Sequence, residues 1–123
     1  MVTYDDILQA FLVYAATREQ SAWNKLWFLC EERMAALVKT KAKGLTVPLD
    51  SMDLMDLIRD STARVLRRLR EADDVTVDFI SKTFYFQNKA QFEEYNRKQD
   101  QWNLARRSAS LMNEKNFVNF QSP

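Results

Sequence analysis

Asp56-Leu57-Ile58-Arg59-Asp60-Ser61-Thr62-Ala63-Arg64-Val65-Leu66-Arg67-Arg68-Leu69 decides the fold class. Leu57, Ile58, Val65, Leu66 and Leu69 recur at the three- and four-residue spacing of one helix face, with charged side chains between them. Upstream, Asp50 or Ser51 offers an N-cap, and Leu54 extends the apolar stripe. Asp53 and Asp56 stand early, while Arg64, Arg67, Arg68 and Arg70 stand late, a gradient that suits the helix dipole. Ala72-Asp73-Asp74 breaks the pattern, so the helix is expected over about 51–72.

Outward from this helix the same period recurs. Thr3 is a candidate N-cap, followed by Asp5 and Asp6 in a first turn and by Ile7, Leu8, Phe11, Leu12 and Ala15 at helical spacing. These predict a helix over about 4–17. Ser21 offers a cap for a second helix over about 20–42, whose stripe is Trp23, Leu26, Trp27, Cys30, Met34, Leu37 and Val38. Lys39, Lys41 and Lys43 sit at its C-terminal end, and Gly44 stands at the C′ position. Leu45 to Asp50 reads as a loop stiffened by Pro48. Thr76 can cap a fourth helix from about Val77 to about residue 105. Val75 to Ile80 alternates like a short strand, but no partner strand is available, so helix is expected there. Ser108 to Pro123 is polar and Asn-rich and is expected to be a loosely docked tail, with Phe117, Val118 and Phe120 as its anchors.

Composition supports long helices. The 123 residues include one glycine and two prolines, too few punctuation marks for a many-turned β fold. A hydrophobic fraction of 46% supplies a core for one helical domain, expected over about 1–107, with about 108–123 as its tail. The expected architecture is a compact all-α bundle of four helices.

The residue inventory narrows the chemistry. Without histidine there is no Ser-His-Asp or Cys-His arrangement and no ordinary zinc site. One glycine excludes a phosphate-cradling or dinucleotide-binding turn. Asp53, Asp56 and Asp60 share one helix face, but a metal needs ligands converging from more than one element. No enzyme activity, metal or cofactor is expected. The 18 basic and 17 acidic residues leave a net charge of +1, so nucleic-acid binding must rest on local patches. The lone Cys30 cannot form an internal disulfide, no apolar run has the length of a membrane span, and Met1 to Asp6 lacks a basic signal-like start. A cytoplasmic protein without membrane contact is expected.

The third helix resembles conserved region 2.2 of sigma-70-type transcription factors. That family reads Asp-Leu-Val/Ala-Gln-Glu, then an apolar triplet, then an Arg/Ala/Trp-rich stretch ending in Leu. Asp56, Leu57, Ile58, Arg59 and Asp60 occupy the first five places, and Arg64, Arg67 and Leu69 also match. Arg59 replaces the family's Gln, which alters the expected polymerase contact. Ser61-Thr62 replaces apolar residues, which is expected to weaken local packing. Leu26 to Val38 is similar to region 2.1, and Gly44 falls at the family's turn. Phe79, Phe84-Tyr85-Phe86, Asn88-Lys89-Ala90 and Arg97-Lys98 resemble regions 2.3 and 2.4, with a small insertion after Ala90. The resemblance covers about residues 22–100 and leaves no space for region 4, as in the shortened sigma-like factors of bacteriophages and mobile elements.

The resemblance implies two surfaces. Asp53, Asp56, Arg59, Asp60 and Arg64 would bind the coiled coil of the largest subunit of core RNA polymerase. On residue pattern alone the same edge is an ordinary salt-bridged exterior, with Asp60 and Arg64 as i, i+4 partners. Lys82, Tyr85, Phe86 and Lys89 would hold single-stranded promoter DNA, bases stacking on rings and lysines meeting phosphates. The plain alternative is a wide core face covered by the first helix or by the tail. The competing function is a small helical interaction or structural protein, such as a phage accessory or virion component, with no DNA role.

Overall fold

The computed structural model describes residues 1–45 and 49–121, except the side chains of Asn103 and of residues 106–121. It is all-helical, with α1 at Tyr4–Thr17, α2 at Gln20–Ala42, α3 at Ser51–Glu71 and α4 at Val77–Gln121. No strand occurs among the described residues. The chain divides into two units, Met1–Gln91 and Phe92–Pro123. The first holds α1, α2, α3 and the opening turns of α4.

Side chains start three of these helices. Thr3 and Asp6 form a reciprocal capping box: the Asp6 N–H donates to Thr3 Oγ1 at 3.1 Å and the Thr3 N–H to Asp6 Oδ2 at 2.9 Å. The Thr3 N–H, and then the Thr3 side chain, hold the Asp6 carboxyl below its ordinary pKa. Asp50 accepts from the Asp53 N–H at 2.7 Å, and Thr76 from the Phe79 N–H at 3.1 Å. Thr76 therefore commits Val77 onward to helix, and the strand-like alternation there is overridden.

Two terminus assignments need correction. Ser21 lies inside α2; its N-cap is Glu19, which makes no side-chain capping bond. The helix begins earlier because the Trp23 N–H already donates to the Glu19 carbonyl at 3.1 Å. Gly44 follows the C-cap Lys43 as expected, yet it has no positive φ. The Gly44 and Leu45 N–H groups instead close short turns onto the Lys41 and Ala42 carbonyls, both at 3.1 Å. Among the described residues, the left-handed position belongs to Arg18, at φ 56° and ψ 22° after α1. Its N–H donates to the Tyr14 carbonyl at 2.7 Å.

Within the first unit, α2 packs against both α1 and α3. The core is Ile7 and Ala10 from α1, Leu26, Cys30, Met34 and Val38 from α2, Leu57, Ile58, Val65, Leu66 and Leu69 from α3, and Ile80 and Phe84 from α4. Each fully buried side chain of the size of Leu or Phe contributes about 1.5–3 kcal/mol. Tyr4 joins three helices: its ring meets Phe84 edge-on at 5.5 Å, and the Arg33 guanidinium lies 4.5 Å from its centre.

Burial also differs from the expected stripe. Leu12 and Ala15 are exposed, because Ala10 rather than Ala15 completes the buried face of α1. Ser61 and Thr62 are fully buried. Thr62 satisfies its hydroxyl by donating to the Ile58 carbonyl at 2.7 Å, whereas Ser61 Oγ has no partner. Toward the other end of the chain, α4 continues past residue 105 to Gln121 without a glycine or proline to stop it. Thr46–Pro48, the centre of the expected loop, lie outside the described residues, as do the side chains of Phe117, Val118 and Phe120.

Candidate functional site

The charged edge of α3 follows from helical geometry. At about 100° per residue, Asp53, Asp56, Asp60 and Arg64 fall within a narrow arc, and Arg59 lies at its border. All five are exposed, opposite the face that buries Ile58, Thr62 and Leu69. An edge of mixed charge on an apolar-backed helix gives a partner orientation and on-rate more than bulk affinity. One turn further on, Arg67 Nε lies 3.2 Å from Glu71 Oε1, an exposed i, i+4 pair.

Arg64 differs from its neighbours. With the Gln91 amide turned so that its oxygen faces the guanidinium, Arg64 Nε and Nη1 donate to that oxygen at 2.9 and 3.0 Å. Gln91 is buried. Arg64 therefore sits on the outer edge by backbone position but directs its guanidinium inward to α4.

The second set gathers on α4. Ile80, Phe84 and Gln91 are buried, whereas Lys82, Tyr85, Phe86 and Lys89 are exposed about half a turn away. Tyr85 and Phe86 are 61% and 59% exposed, so burial in a core does not account for them. Their rings meet edge-on, with centroids 5.4 Å apart at 75°. Lys82 Nζ is 2.9 Å from Asp78 Oδ2, which locally offsets its charge. The set is a solvent-facing pair of aromatic rings between two lysines. Such a surface offers π-faces to unpaired bases and cations to a backbone.

Two further features were not anticipated from the sequence. Phe28, Glu31, Glu32 and Ala35 of α2 with Met55 and Ile58 of α3 line an open groove of about 430 Å³. Phe28 is 65% exposed, and Glu31 is fixed by the Trp27 indole N–H, which donates to it at 2.9 Å. The signal was present in the sequence: Phe28 falls off the apolar stripe of α2, so the stripe gives it no place in the core. The second feature is a ladder of rings and guanidiniums across three helices. Arg18 lies 5.3 Å from the Tyr14 ring centre, Tyr14 and Trp23 are 4.9 Å apart, and Arg70 lies 5.2 Å from the Trp23 ring. Trp27 extends it, 6.4 Å from Trp23.

Among the described residues, no group of three or more Cys, Asp or Glu side chains is placed to hold a metal ion. Cys30 is fully enclosed, and burial pushes its thiol up to about 12. Among the described residues, no helix is long and apolar enough to cross a membrane. No protein-family model, curated protein or solved structure matches the chain.

Proposed function

We propose that this chain is a sigma-region-2-like transcription initiation module. It docks on the coiled coil of the largest subunit of core RNA polymerase through the α3 edge, chiefly Asp53, Asp56, Arg59 and Asp60. It engages the melted promoter strand through Lys82, Tyr85, Phe86 and Lys89. The observation that carries this reading is the exposed Tyr85–Phe86 pair between two lysines. Adjacent exposed rings are available to a ligand, and stacking on unpaired bases is worth about 1–3 kcal/mol per base. The resemblance of Asp56 to Asp60 to region 2.2 supplies the polymerase half.

A second reading, a helical protein-interaction module, is favoured by the groove at Phe28 and Met55. An acid-rimmed apolar groove suits an amphipathic partner helix with basic flanks. Retention on immobilised core RNA polymerase tests the first reading directly. Core binding with permanganate-reactive promoter DNA supports it. Absence of core binding leaves the interaction module as the remaining function.

A further inference from the structure

We propose that Arg64 is a positioning residue, a clasp that sets α4 on α3, rather than a contact offered to a partner. Gln91 is 5% exposed, so its amide needs an internal partner. The Arg64 fork supplies one through Nε and Nη1, at 2.9 and 3.0 Å. Two donors on one oxygen, from a planar charged group, fix direction as well as distance.

Other polar groups around this pair do not take that role. Thr62 and Thr83 turn their hydroxyls back onto their own helices, to the Ile58 and Phe79 carbonyls, each at 2.7 Å. Ser61, three residues before Arg64, and Asn88, three residues before Gln91, have buried oxygens without partners. Apolar contacts alone tolerate sliding and rotation, because they are non-directional. The Arg64–Gln91 pair provides a directional contact between these two helices.

The clasp sits between the two surfaces. Arg64 lies one turn beyond Asp60 on α3, and Gln91 lies two residues beyond Lys89 on α4. It therefore holds Tyr85, Phe86 and Lys89 in a fixed presentation relative to the α3 edge. The functional part of this inference rests on the transcription reading; the clasp itself does not.

Amide hydrogen exchange over residues 84–91 of the full chain tests it. Arg64→Ala and Gln91→Leu each speed exchange there by about tenfold, the scale of a lost charge-assisted hydrogen bond. The double variant is no faster than either single one, because both remove the same contact. Gln91→Glu keeps an acceptor for the fork and restores protection. Unchanged exchange, or effects that add in the double variant, overturns the clasp. With core polymerase, Arg64→Ala and Gln91→Leu leave core affinity within about twofold and both reduce promoter opening. Loss of core affinity in Arg64→Ala alone places Arg64 on the partner surface and overturns the inference. If the wild-type chain fails to bind core polymerase, the transcription reading falls, and the exchange measurement decides the clasp by itself.

Discussion

Cys30 shows how strongly position controls reactivity in a single side chain. Its thiol is enclosed by apolar neighbours, and burial raises it from an ordinary 9.0 to about 12. Near neutral pH it stays protonated and unreactive toward thiol reagents until the chain unfolds. The folded state keeps the proton that the unfolded state releases near pH 9. The resulting stability is whole below pH 9 and is lost as pH rises toward 12, which a pH series of urea melts measures. Tyr85 and Phe86 represent the opposite situation, rings that packing does not require. Replacing both with alanine should leave thermal stability within about 0.5 kcal/mol. The same double variant should reduce permanganate reactivity of an opened promoter at equal holoenzyme, with core binding retained. Equal footprints would leave the rings as idle surface. That the lysines and rings share a face was legible from their spacing alone. That Arg64 turns inward was not, because a helical wheel records where a side chain starts and not where its end group finds a partner.

The helices themselves were largely legible, for identifiable reasons. Thr3, Asp50 and Thr76 each place a side-chain oxygen against an orphan N–H, and α1, α3 and α4 begin where those residues stand. Where no side chain caps, as at Glu19, the sequence pointed to the wrong residue. Arg18 was invisible as a left-handed terminus because glycine and asparagine are the usual occupants. Gly44 is a misleading signal for the same reason. It has no positive φ, and an added Cβ would meet the Lys41 carbonyl oxygen at an ordinary 3.5 Å. Gly44→Ala should therefore raise stability by about 0.4–1 kcal/mol, chiefly by restricting the unfolded chain, as a chemical melt would show. On α3 the exposed edge permits a stronger test. Reversing charge at Asp56, Arg59 and Asp60 together should keep the helical circular dichroism spectrum and abolish core polymerase binding. Unchanged binding by the folded triple variant would remove this edge from the interface. The end of α4 was not legible, because polar composition alone does not stop a helix and residues 106–121 contain neither glycine nor proline.

As a whole, the molecule carries almost no net charge, +1, and its cations are distributed among acids. Electrostatic attraction to DNA is correspondingly small. The free chain should bind duplex DNA weakly in a titration at physiological salt, and single strands should be held usefully only within a polymerase complex. Tight duplex binding by the isolated chain would contradict both the charge argument and the stacking mechanism, since stacked pairs leave no open ring faces. The ladder across α1, α2 and α3 has a different consequence. Tyr14 lies 4.9 Å from Trp23, close enough that light absorbed by the phenol is passed to the indole and emitted there. Separating α1 from α2 would interrupt that transfer and return the phenol's own emission. The chain thus contains an optical gauge of its own assembly, readable without any added label.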